Sequence, residues 1–193
     1  MRISSIKGSL LIFVSVLSID LGAQSTVSHK LISTEYLTPY EMGNGNQTAT
    51  YQETIAYFQR LDHDFETVKI LEMGPTDCGE PLRIVIFNPD KTFDFAQPQS
   101  KAVLLINNGI HPGEPDGIDA TMMLYRDLAL GKIKVPQNVI IVNIPVYNIE
   151  GALNRNSNTR ANQNGPESYG FRGNGRNYDL NRDFVKSDTK NSR

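Results

Sequence analysis

Two short apolar runs, residues 102–107 and 138–146, flank a stretch whose apolar positions recur at helical spacing. That alternation of patterns admits few folds. Runs this short and this rich in Val, Ile and Leu read as strands buried on both faces. Between them, residues 116–130 place Ile118, Met122, Tyr125 and Leu128 or Ala129 on one side, and Gly131 supplies a stop. Strand, helix, strand in this order is the unit that joins parallel strands through a crossover helix. Upstream, Thr50-x-x-Glu53 is a capping-box pattern, and Tyr51, Ile55, Phe58 and Leu61 or Asp62 continue it at near-helical spacing, which predicts a helix over 51–62. Residues 67–73 and 82–88 are β-rich and separated by a Gly/Pro turn, so they read as a hairpin. The expected class is α/β, with a mixed, mostly parallel sheet flanked by helices.

The two ends of the chain differ from this middle. Arg2 and Lys7 precede an apolar stretch over 10–19, and Leu21-Gly22-Ala23 ends in a small residue. This is the pattern of a signal peptide over 1–23, too short to span a bilayer comfortably, with an uncleaved anchor as the alternative. It implies a secreted or periplasmic protein without a stable membrane anchor. Residues 24–49 are polar and read as an extended lead-in to a domain portion over 50–193. Nine asparagines and five glycines fall between Asn148 and Asn181, where no periodic apolar pattern survives. A loop of this length is either functional or disordered. The net charge of −2 with no basic block argues against a nucleic-acid partner. The single cysteine, Cys78, excludes an internal disulfide, and no histidine near it in sequence supplies a base for a catalytic thiol.

Two motifs carry chemistry. His111-Pro-Gly-Glu114 follows the first buried run and precedes the helix, the address at which α/β sheets place their sites. A tight Pro-Gly turn can bring the imidazole and the carboxylate to one point, and zinc accepts both donors. Asn107, Asn108 or Asp116 are candidates to orient these donors. The plainer alternative is a loop histidine beside a carboxylate favoured by the helix N-terminus. The second motif, Asp179-Leu-Asn-Arg-Asp-Phe184, closes the Asn/Gly-rich loop. An arginine fork beside an asparagine amide, Asn181 with Arg182, suits a bidentate grip on a carboxylate. Arg172 is a second cation in the same loop, able to stabilise an oxyanion. The alternative for these arginines is that they brace the loop through backbone carbonyls.

Together the motifs resemble the zinc carboxypeptidases of the carboxypeptidase A and B type. The resemblance runs through His111-Pro-Gly-Glu114, Asn148-Ile-Glu-Gly151 and Asp179-Leu-Asn-Arg-Asp-Phe184 and covers residues 50–185. It implies Zn2+ on His111 and Glu114, and a peptide or protein substrate with a free C-terminus gripped by Asn181 and Arg182. Arg172 would lie at the scissile carbonyl, with Arg160 as its rival. It also implies a third histidine ligand, a glutamate base and a tyrosine further along, yet none of the nine residues after Phe184 is His, Glu or Tyr. The chain is therefore expected to be the N-terminal portion of such a domain, incomplete as a catalyst. Two alternatives stay open: an acylamino-acid hydrolase of the aspartoacylase or succinylglutamate desuccinylase type, and a non-enzymatic remnant.

Overall fold

The computed structural model describes residues 34–94 and 100–193. The signal-peptide segment and residues 24–33 of the lead-in lie outside the described residues. The chain divides into two units, Met1–Glu35 and Tyr36–Arg193, and the second holds the fold.

Helix α1 (Pro39–Met42) interrupts the lead-in that was expected to be extended. Thr38 accepts from the backbone N–H of Glu41 while the Glu41 carboxylate accepts from that of Thr38, and Pro39 occupies the first turn. The same capping box starts α2 (Tyr51–Asp64), where Thr50 and Glu53 exchange these bonds at 2.8 and 3.2 Å. The hairpin follows as β1 (Val68–Pro75) and β2 (Pro81–Phe87), paired antiparallel with an irregularity between Glu72 and Gly74. Next come β3 (Ala102–Asn107), α3 (Asp116–Ala129), β4 (Val139–Ile144) and the short α4 (Ile149–Leu153). Gly131 ends α3's turn with φ of 69°, a conformation that glycine adopts without strain.

The sheet runs β1-β2-β4-β3. Among the described residues parallel pairing is confined to β3 and β4, and β2 meets both β1 and β4 antiparallel, so the sheet is mixed as expected but not mostly parallel, because the hairpin adds its strands antiparallel. One face buries Phe58 and Leu61 of α2 and Met122 and Tyr125 of α3 against Val85 and Ile141. Phe58 and Tyr125 meet edge to face at 5.5 Å. The buried Tyr125 hydroxyl donates to the carbonyls of Val85 and Ile141 at 2.8 and 3.1 Å, which pins α3 across β2 and β4. The other face gathers Ile86, Ile140 and Val142 with Phe93 packed against them.

β3 departs from expectation. Its run is apolar enough for burial on both faces, yet residues 102–105 are exposed, with Val103 at 52%, Leu104 at 52% and Leu105 at 58%. The reason is position. β3 lies at the sheet's end, and among the described residues β4 is its one strand neighbour. β4, in the interior of the sheet, buries Ile140, Ile141, Val142 and Asn143 as expected.

Candidate functional site

The parallel pair fixes where the first motif falls. Past the end of β3, Asn108 donates to Ile144 O, and Tyr147 and Asn148 donate back to the carbonyls of Asn108 and Gly109. The chain thus leaves both strands at the same carboxyl end before it turns. His111 lies in that turn, which closes through a bond from Glu114 N–H to His111 O of 2.8 Å, and its side chain is buried. Gly113 has a physical reason: a Cβ there would fall 2.7 Å from Arg160 Nε and 2.8 Å from Gly170 O.

The long loop is shaped by its own polar side chains. Asn148 is fully buried, caps α4 through Gly151 N–H at 2.9 Å, and donates to Arg172 O at 3.0 Å. Gly151 leaves no room for a side chain, since a Cβ would lie 2.4 Å from Phe171 O. These contacts carry Arg172 and Asp179 back over His111.

Asp179 joins the two motifs, a role that composition and spacing did not reveal. Its Oδ1 lies 2.8 Å from His111 Nε2 and accepts from Asn181 N–H at 3.0 Å. Its Oδ2 accepts from Arg172 Nε and Nη2 at 3.2 and 2.9 Å. Burial pushes the Asp179 carboxyl pKa up, but the bonds from His111, Arg172 and Asn181 outweigh it and hold the carboxyl down at about 2. An ionised carboxylate accepts only, so His111 donates from Nε2, and in a neutral imidazole held this way Nδ1 is the nitrogen that carries the lone pair. Asp179, not Asn107, Asn108 or Asp116, is therefore the carboxylate that orients the imidazole. Asn108 is engaged elsewhere, donating to Thr121 Oγ1 at 3.3 Å and Asn143 Oδ1 at 2.7 Å.

Glu114 faces the other side of the ring, with Oε2 3.6 Å from His111 Nδ1, too far for a hydrogen bond. Arg160 Nη1 donates to its Oε1 at 2.8 Å, and Arg172 Nη1 stands 3.8 Å from the same oxygen. Both candidate arginines therefore converge on Glu114, and Arg172 alone also engages Asp179. Asn181 and Arg182 lie on a 3-10 turn, Leu180–Arg182, capped by Asp179. Arg182 is exposed and donates to Asn181 O at 3.1 Å.

A metal can be tested against this geometry. Bonds of about 2.0–2.1 Å in a tetrahedron set two donors roughly 3.3–3.4 Å apart. The Nδ1–Oε2 gap of 3.6 Å is close to that, and Nδ1 is the ring nitrogen that Asp179 leaves unengaged. His111 and Glu114 thus fit two corners of a zinc site. Among the described residues no group of three His, Cys, Asp or Glu side chains is arranged to hold a metal ion. His63 is exposed beside Asp64, and His29 lies outside the described residues.

No protein-family model matches the chain, and no curated protein does. Solved structures do. A metallo-carboxypeptidase from Burkholderia cenocepacia superposes with a TM-score of 0.51 at 19% identity, over 71% of this chain and 33% of that one. A metallo-carboxypeptidase from Pseudomonas aeruginosa, in complex with (2-guanidinoethylmercapto)succinic acid, gives 0.51 at 17% identity over 72% and 32%. The fold is carboxypeptidase-like. The chain spans about a third of the length of these structures.

Proposed function

We propose that this chain carries the first two metal ligands and the carboxylate clamp of a zinc-dependent carboxypeptidase, one that removes C-terminal residues from peptides. The observation that supports it most is Asp179. One carboxylate orients His111, holds Arg172 and caps the turn bearing Asn181 and Arg182, so the metal half-site and the clamp are one assembly.

In this reading His111 Nδ1 and Glu114 Oε2 hold zinc. Bound there, the ion would supply Lewis-acid chemistry, activating water and polarising a carbonyl. Asp179 keeps His111 in the tautomer that leaves Nδ1 free. Asn181 and the exposed Arg182 fork grip the carboxylate at the end of a peptide. Arg172 offers its donors to the oxyanion, held between Asp179 and Glu114 until substrate arrives. A third ligand is not gathered beside them among the described residues. The leader-like sequence pattern over residues 1–23 supports a location outside the cytoplasm. Among the described residues no helix is long and apolar enough to cross a membrane.

The test is peptide binding by calorimetry in the presence of zinc. The chain is expected to bind an N-acylated dipeptide with a free C-terminus more tightly than its amide, and Arg182→Ala is expected to erase the difference. Equal weakening for both peptides would overturn the clamp.

A further inference from the structure

Arg160 is held unlike the other cations of the site. Its side chain is only 14% exposed, against 44% for Arg172. Its backbone N–H donates to Tyr169 OH at 3.1 Å, and Tyr169 is itself buried and bridged to Asn156 by bonds of 2.8 and 2.9 Å. Gln163, three residues on, donates to Gly113 O at 3.0 Å and ties the same segment to the His-Pro-Gly-Glu turn. Gly113 yields its Cβ space to the guanidinium, whose Nη2 is buried with no hydrogen-bond partner. The geometry delivers one Nη1–H to one oxygen of Glu114, with the cation fixed from behind.

We infer that Arg160 is a positioning residue that confines Glu114 to single-oxygen metal coordination and moderates the affinity of the half-site for divalent cations. The inference rests on the metal reading above. Oε1 is spent on Arg160, so Oε2, the oxygen facing His111 Nδ1, is what Glu114 offers. A fixed guanidinium on the ligand draws charge from the carboxylate and repels a dication placed beside it. Removing the charge takes away Arg160's hydrogen bond to Oε1, leaving Arg172 Nη1 3.8 Å off, and opens that oxygen to a second bond to the ion. Keeping a charge of similar reach preserves the restraint, even though lysine lacks the planar fork.

The experiment is zinc competition with a chromophoric chelator at fixed pH, on the whole chain and on Arg160→Met, Arg160→Gln and Arg160→Lys. Arg160→Met and Arg160→Gln are expected to bind zinc about tenfold more tightly, the scale on which neighbours of a ligand tune metal sites. Arg160→Lys is expected to stay near the parent affinity. A merely structural role would loosen binding in all three, and that result overturns the inference. So does equal affinity throughout, which leaves the metal reading standing. Zinc binding by none of the four proteins sinks both. If Arg160→Met does not fold, Arg160→Gln carries the comparison.

Discussion

The scaffold from Tyr36 to Tyr147 and the segment after it are held by different forces. In the scaffold, Phe58, Leu61, Val85, Met122 and Tyr125 are fully excluded from water in one apolar cluster. The later segment adds few such groups, chiefly Ile149, Ala152, Tyr169 and Leu180. Directional polar bonds hold it instead. Arg155 donates to the carbonyls of Ala49, Thr48 and Ser168, and Asp183 accepts from Thr189 Oγ1 at 2.6 Å and from the N–H groups of Asp188 and Thr189. Apolar burial is cooperative and indifferent to pH. A lattice of charged and amide bonds places side chains accurately but answers to protonation. The candidate site uses both, with His111 on the scaffold and Asp179 on the segment.

The largest expected effect lies in the scaffold. Phe58→Ala is expected to cost about 3–5 kcal/mol, read from urea unfolding, because it opens a cavity beside Tyr125 and Leu61. A loss below about 1 kcal/mol would mean that the cluster does not carry the fold.

An acid titration separates the two regions next. The folded Asp179 carboxyl ionises at about 2, below its ordinary value of 3.8, so unfolding takes up a proton as pH falls. Its contribution is complete above about pH 4 and is lost as pH drops toward 2, on the order of 1 kcal/mol after solvent screening. Asp183 is held low in the same direction: burial opposes, and the Thr189 and Ser192 hydroxyls and the Asp188 and Thr189 N–H groups prevail. Hydrogen exchange is expected to show residues 170–184 losing protection in this window while residues 116–129 keep theirs, with a shallower loss in Asp179→Asn. Parallel loss in both regions would erase the distinction.

The smallest effect is expected on β3. Leu104→Thr is expected to change stability by less than about 0.5 kcal/mol, since Leu104 is already 52% exposed, while reducing self-association in sedimentation. A penalty of a buried-leucine size would show that β3 is covered in solution.

Local patterns made most of the scaffold legible. The Thr50–Glu53 box, the helical spacing after it, the hairpin and the β3-α3-β4 order each rest on contacts a few residues long or on an apolar period. Thr38-Pro-Tyr-Glu41 repeats the same capping pattern, so α1 was open to the same reasoning. His111 and Glu114 were visible as a turn between strand and helix. The bond between His111 and Asp179 was not, because it joins residues 68 positions apart and depends on how the Asn148 and Gly151 contacts fold the loop back. Exposure of β3 was hidden for a different reason. Apolar side chains record what a strand is suited to touch, and only the sheet order says what it touches.

The bare strand at the end of the sheet sets a concentration scale for this chain. Ala102 and Leu104 alternate with Val103 and Leu105, so apolar groups look out on both faces beside an edge that no other described strand pairs with. Pairing of two copies along that edge is a second-order process, whereas any covering supplied by a tethered segment is first-order and indifferent to dilution. Handling of the molecule is thus a race between reaction orders: dilute solutions favour the separate chain, and each doubling of concentration quadruples the rate of edge-to-edge encounters.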